Sequence, residues 1–212
     1  MGSVIIDYNS GNLHSAKKSF QMISSELDKG EVLISSNPDE ILKADRVILP
    51  GVGSFNDCKS NLQKTGLMEV IEQRVLKDGI PFLGICVGHQ LMATTGLENN
   101  IKTLGFDWIP GVVTKITPSD PNLKVPHMGW NTLKFDRDHT LFSGIAEQDH
   151  AYFVHSYHIV LENTIDRICY VDYGQQITAA ILKENMIGTQ FHPEKSQTVG
   201  LTFIRNFLLW SP

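Results

Sequence analysis

The chain has 212 residues, 42% of them hydrophobic, and a formal net charge of −5. That is enough to bury a substantial core in what is expected to be one domain over 1–212, and too little basic charge to hold a phosphate backbone, which excludes nucleic acid as a partner. Its cysteines, Cys58, Cys86 and Cys169, form no CxxC pair or even-numbered framework, and no run is long enough to span a bilayer or act as a leader, so a cytoplasmic protein without membrane contact is expected.

The first half alternates strand and helix. Val4 to Tyr8 is apolar and β-branched, Ser10-Gly11-Asn12 is a loop with capping residues, and Leu13, Ala16, Phe20, Ile23 and Leu27 recur at helical spacing. Val32 to Ser35 reads as a second strand, Pro38-Asp39-Glu40 opens a short helix, and Arg46 to Leu49 is a third strand leading into Pro50-Gly51-Val52-Gly53. Leu67, Val70, Ile71 and Val75 mark a second long helix. Ile80 to Ile85 is a short buried strand, and His89-Gln90-Leu91-Met92-Ala93 is expected to open another helix. Beyond Gly96 the pattern changes to short strands: Val112–Thr117, Thr132–Phe135, Tyr152–Val160, Ile168–Tyr173, Ile177–Lys183 and Met186–Phe191, closed by a helix over Gly200–Leu209. These features predict an α/β fold: an open, mostly parallel sheet flanked by helices, with an antiparallel extension in the second half.

Gly84-Ile85-Cys86-Val87-Gly88 sets a lone cysteine between two glycines where a strand meets a helix. A tight strand-to-helix turn brings backbones together at distances that only residues without a side chain tolerate, so flanking glycines are what a nucleophile elbow requires. Unpaired N–H groups at a helix N-terminus favour the thiolate form of a cysteine placed there. An inert core cysteine is the plainer reading, and the paired glycines weigh against it.

A cysteine nucleophile needs a base, and the base needs a group to orient it. Phe191-His192-Pro193-Glu194 ends an apolar strand with an imidazole, a proline that stiffens the chain, and a carboxylate. Residues i and i+2 of an extended chain point the same way, so Glu194 is expected beside His192. Both Cys86 and His192 end strands, and in an open α/β sheet such ends gather at one site. Donors for an oxyanion are expected from the Val87 N–H and from the Pro50-Gly51-Val52-Gly53 loop. If a peptide of that loop turned its carbonyl inward, substrate would bind but hardly react, and its glycines make such a flip cheap. His155 and His158 are expected on opposite faces of one strand without metal-ligand spacing, and His14, His139 and His150 as surface or turn residues. No metal or cofactor is expected.

Together these three motifs resemble the class I, triad-type glutamine amidotransferase family. The resemblance implies a flavodoxin-like domain that hydrolyses glutamine to glutamate and ammonia, with Cys86 as nucleophile, His192 as base and acid, Glu194 as orienting carboxylate, Gly53 as the second oxyanion donor, and Gly51, Val52 and Gln90 contacting the substrate. Ile6-Asp7-Tyr8-Asn9-Ser10-Gly11-Asn12-Leu13, Pro126-His127-Met128-Gly129-Trp130-Asn131, Tyr152 to Tyr157 and His192 to Ser196 resemble the branch of the family that works beside a (β/α)₈-barrel cyclase in histidine biosynthesis. On that resemblance a heterodimer is implied, with Asn12, His127, Met128, Gly129, Trp130, Asn131, Tyr152 and Lys195 at the interface. A buried turn filled by Trp130 is the plainer reading of residues 126–131. The chain departs from the branch at His89, where an apolar residue is usual, and at Asn9-Ser10. The same residues also allow a γ-glutamyl hydrolase, a non-catalytic subunit of the same fold, or a glutaminase serving surface-sugar amination.

Overall fold

A computed structural model describes residues 2–212. In chain order it runs β1 (Ser3–Ile6), α1 (Leu13–Leu27), β2 (Val32–Ser35), α2 (Pro38–Leu42), β3 (Arg46–Gly51), α3 (Phe55–Thr65) and α4 (Met68–Glu72), which passes into a π-helical turn, Gln73–Lys77. Next come β4 (Phe82–Cys86), α5 (Val87–Gln90), β5 (Ala93–Glu98), β6 (Ile101–Leu104), β7 (Ile109–Lys115), β8 (His127–Thr132), β9 (Lys134–Phe135), β10 (His150–His155) and β11 (Tyr157–Leu161). β12 (Arg167–Asp172), β13 (Gln176–Lys183), β14 (Met186–Thr189) and α6 (Gln197–Leu209) complete the fold.

The main sheet has eight strands in the order β2-β1-β3-β4-β14-β13-β12-β9. From β2 to β14 neighbours run parallel, and β13, β12 and β9 add the expected antiparallel extension. The central strands are apolar on both faces, as helices on both sides of a parallel sheet demand: every residue of β4 is buried, as are Val47, Ile48 and Leu49 of β3. Phe20 of α1 packs edge-on against Phe207 of α6. A four-stranded sheet, β11-β7-β5-β6, and the pair β10-β8 stand apart from the main sheet.

Three expectations are corrected, and one helix, α3, was not foreseen. The helix expected to run on from His89 is a single turn, α5, after which Ala93–Glu98 is the strand β5, paired with β6 and β7. α3 lies on a stretch that carries no strong apolar stripe; only Phe55, Cys58, Lys59 and Leu62 are buried, yet Ser54 caps it through the Asp57 N–H and Gly66 ends it at φ +68°. Tyr152–Val160 divides at Ser156, because β10 pairs with β8 while β11 pairs with β7 in another sheet. β14 ends at Thr189, and Pro193–Lys195 is a 3₁₀ turn rather than extended chain.

The registry Gly51↔Cys86 and Thr189↔Ile85 brings the carboxyl ends of β3, β4 and β14 together. The turn from β4 into α5 fits only because of its glycines. A Cβ on Gly88 would lie 1.8 Å from the Leu49 carbonyl oxygen, and one on Gly84 would lie 2.6 Å from that of Gly88. Both obstacles are backbone and cannot swing aside. Gly88→Ala is therefore expected to destabilise the protein by about 3 kcal/mol or more, read as a lower midpoint in chemical denaturation; an unchanged midpoint would contradict this packing.

Candidate active site

Cys86 sits at φ +55° and ψ −109° between β4 and α5, a region that costs a non-glycine residue about 1–3 kcal/mol. It lines a cleft of about 330 Å³ whose walls include Gly53, Val87, Gln90, His155, Tyr157, His192 and Lys195. His192 reaches it from beyond β14 and is hydrogen-bonded to the Cys86 sulfur. The other side of the ring is held by Glu194, with Nδ1 2.8 Å from Oε1, so Nε2 is left to face the sulfur. Both side chains are almost fully buried. The 3₁₀ turn, not the strand extension expected from the sequence, sets this pairing.

The ring is also fixed through its backbone. The His192 N–H donates to the Tyr152 carbonyl at 3.0 Å. Ser196 Oγ donates to the His192 carbonyl at 2.7 Å and accepts from the Tyr152 N–H at 3.0 Å. Burial disfavours a charged ring, but the negative charge of the Cys86 sulfur, the hydrogen bond to it and the Glu194 carboxylate outweigh burial and raise the His192 pKa to about 10. With its pKa raised that far, the imidazole holds its proton throughout the neutral range. The sulfur can attack an electron-poor carbon, and the ring can hand its proton to a leaving group.

The loop after β3 divides its tasks. Gly51 is buried, with no room for a Cβ between Gly88, Val87 and Tyr8, and lies outside the cleft walls; it shapes the site without reaching it. Val52 and Gly53 line the cleft. The Val52 N–H is directed at Ser10 Oγ at 3.4 Å, and the Val52 carbonyl accepts from Ser10 Oγ at 2.9 Å. In a trans peptide the N–H lies opposite the carbonyl, so this contact turns the Gly53 N–H away from Ser10. Gly53, at φ +115° with open space around it, is where the loop can swing. Gln90 is buried in the cleft wall and donates both amide protons, to the Tyr157 carbonyl at 2.8 Å and to Gln190 Oε1 at 2.9 Å. Only its carbonyl oxygen remains for a ligand, so Gln90 can receive a donor but not supply one.

The residues expected at an interface fall into two groups. Met128 and Trp130 are exposed on β8, Tyr152 meets the Trp130 ring edge-on at 5.9 Å, and Lys195 Nζ stands 5.9 Å from the Tyr152 ring. His127, by contrast, is buried, because alternate residues of a strand face opposite sides. Gly129 and Asn131 are half-buried, and Asn12 caps α1 through the Ser15 N–H, in a separate groove with Asp7 and Lys17.

Two residues near Cys86 were given no role by the motifs. Gln190 is fully buried with Nε2 3.7 Å from Cys86 Sγ; its place two residues before His192 was the available signal. His155 lines the cleft, although its spacing to His158 suggested nothing. The departure at His89 is a buried ring pressed against Gly188, where a Cβ would lie 2.5 Å from Nδ1; burial lowers its pKa to about 3. Among the described residues no group of three His, Cys, Asp or Glu is placed to hold a metal ion, and no helix is long and apolar enough to cross a membrane.

Residues 4–210 match the family model for class-I glutamine amidotransferases. The chain belongs to that family. Relatives include imidazole glycerol phosphate synthase subunit HisH of Cereibacter sphaeroides, 53% identical with all of both chains covered. The protein of the same name from Ruegeria pomeroyi is 51% identical, again over all of both chains. Among solved structures, a glutamine amidotransferase superposes with a TM-score of 0.72 at 15% identity, over 98% of each chain. Another, from Thermotoga maritima, gives 0.63 at 16% identity, over 92% of this chain and 76% of its own. At such identities these structures speak for the fold alone.

For His192 to protonate a leaving nitrogen, as the family resemblance implies, its imidazolium must survive until that step. kcat/KM for glutamine is therefore expected to hold across neutral pH and to fall as His192 loses its proton near pH 10. Glu194→Gln removes one of the charges that raise that pKa, so the alkaline limb moves to lower pH and kcat drops by about 10²- to 10⁴-fold. pH–rate profiles of both forms check the pair of effects.

Proposed function

We propose that residues 1–212 form one glutaminase domain, the subunit of imidazole glycerol phosphate synthase that hydrolyses glutamine for histidine biosynthesis. The observation that carries this reading is the contact chain Cys86, His192, Glu194 in a cleft walled by Gly53, Val87 and Gln90. The full-length relatives of that name support the choice of pathway.

In this reading glutamine enters with its side-chain carbonyl carbon against Cys86 and its oxygen toward the Val87 and Gly53 amides. The sulfur attacks and the electron pair moves onto the carbonyl oxygen, where each backbone donor contributes about 10²-fold or more in rate. His192 protonates the amide nitrogen, the C–N bond breaks and ammonia leaves a thioester on Cys86. The now neutral ring takes a proton from water, the hydroxide adds to the thioester, and glutamate departs as the thiolate re-forms. Glu194 stabilises the ring each time it is charged.

Ammonia released to bulk water is largely protonated and ceases to be a nucleophile, so the reaction serves a partner held against the site. That partner is a (β/α)₈-barrel cyclase in a heterodimer, which combines the ammonia with a phosphorylated ribulosyl-amino-imidazole intermediate to give imidazole glycerol phosphate and AICAR. Exposed Met128 and Trp130, with Tyr152 and Lys195 beside the cleft mouth, offer an apolar and aromatic surface of the kind that anchors such an interface. Gly129 and Asn131 belong to the same strand. The pathway and three free cysteines suit the cytoplasm.

Cys86→Ala is expected to abolish ammonia release from glutamine while the complex with the cyclase still turns over on added ammonium salt, because only acyl transfer needs the thiol. Glutamine-dependent and ammonium-dependent product formation, measured on the same preparation, separate the two. Ammonia release from glutamine by that variant would remove Cys86 from the mechanism.

A further inference from the structure

We propose that His127 and His155 are positioning residues of the glutamine site, two neutral rings in fixed tautomers that hold the Tyr157 carbonyl and, through it, the side chain of Gln90. The inference rests on the glutaminase reading above. His155 ends β10 and faces His127 across the β10-β8 ladder. Its Nδ1 lies 2.8 Å from the Tyr157 carbonyl oxygen. A carbonyl only accepts, so the proton is on His155 Nδ1 and, in a neutral ring, Nε2 is a lone pair. That lone pair is 2.9 Å from His127 Nδ1, which must then carry the second proton. His127 Nε2 becomes an acceptor in turn, and Asn131 Nδ2 stands 3.2 Å from it.

Each link has one direction. The chain runs from Asn131 on β8 through both rings to the Tyr157 carbonyl, whose other bond comes from Gln90 Nε2 at 2.8 Å. Gln90 passes its remaining proton to Gln190, which donates to Cys86 Sγ. A flipped Gln90 would set its oxygen against the Tyr157 carbonyl, so the amide orientation that leaves an acceptor for substrate depends on that carbonyl staying in place.

The neutral state is enforced by surroundings that disfavour an imidazolium. His127 stacks on Phe153 with ring centroids 4.9 Å apart and lies against Tyr173 at 4.1 Å. Burial lowers the pKa of His127 to about 4 and that of His155 to about 3. A phenyl ring could fill the same space, which is why packing alone does not account for two histidines here. Without the His127 donor, His155 is free to move its proton to Nε2. Its Nδ1 lone pair then opposes the Tyr157 carbonyl at a distance where the two repel.

Two measurements test this. Long-range ¹⁵N–¹H spectra of the wild-type protein at neutral pH are expected to show both rings protonated at Nδ1, the form less populated by free histidine in water; an Nε2–H pattern for either ring overturns the inference. In the complex with the cyclase, His127→Phe is expected to raise KM for glutamine about tenfold, the worth of one buried hydrogen bond, with kcat within about threefold, and His127→Asn, which restores a donor at the Nδ1 position, is expected to recover most of the loss. An unchanged KM in His127→Phe overturns the positioning role whatever happens to kcat. If His127→Phe fails to fold, the wild-type spectrum decides. If the wild-type complex releases no ammonia from glutamine, the functional reading fails and the spectrum still judges the tautomers.

Discussion

A turn that no strand or helix would adopt unaided lies under everything this site can do: Cys86 at φ +55° between β4 and α5. Its strain, about 1–3 kcal/mol, persists because the surroundings leave the backbone nowhere else to go. β4 is locked between β3 and β14 in parallel register, and the short α5 is pressed so closely on β3 that Gly88 has a backbone oxygen where a side chain would be. Ile85 and Val87 on either side of the cysteine are buried with Leu49 and Leu83. Burying each large aliphatic side chain contributes about 1.5–3 kcal/mol, so a few of them offset the strain and keep the sulfur at the edge of the cleft.

The same packing makes a buried charge pair tolerable. An imidazolium and a carboxylate withdrawn from water, as His192 and Glu194 are, lose several kcal/mol of hydration each, and their attraction makes up for that only with good geometry and satisfied hydrogen bonds. Glu194 supplies the second bond to the ring, Gln190 donates to the sulfur, and Tyr152 and Ser196 fix the His192 backbone. The protein spends little freedom on this, since the groups sit on strand ends and a tight turn rather than on long loops.

The parallel half of the fold was legible because β-branched runs and helical spacing alternate in it without conflict, as in Val4 to Tyr8 followed by Leu13, Ala16, Phe20, Ile23 and Leu27. The candidate triad was legible because each member stands within two residues of a glycine or proline, residues that declare unusual backbone before any fold is known. What stayed hidden had weaker local marks. α3 is nearly all polar, and its cap at Ser54 and stop at Gly66 were the only signs of it. Leu91-Met92-Ala93 reads as the continuation of a helix, but Leu91 and Met92 form a turn, and the pairing of β5 with β6 and β7, a long-range choice, starts a strand at Ala93. His127 and His155 are far apart in sequence, and nothing local announces that a ladder will set them ring to ring.

That ladder also explains how a surface can speak to a buried sulfur. β8 shows Met128 and Trp130 to solvent and turns His127 inward, as strand alternation requires. β10 does likewise: Tyr152 meets Trp130 outside, while its carbonyl receives the His192 N–H and its amide binds Ser196. A subunit seated on these aromatics in the proposed complex therefore touches two strands that each lead inward by hydrogen bonds, one to the His192 backbone and the other, through the two rings, to the Tyr157 carbonyl that Gln90 also binds. The pair is also tied to the rest of the fold, since β8 runs on through Leu133 into β9 of the main sheet, Asn131 donates to the Asp172 carbonyl of β12, and Phe153 packs against Phe191, so a load on its outer face reaches the cleft through fixed contacts.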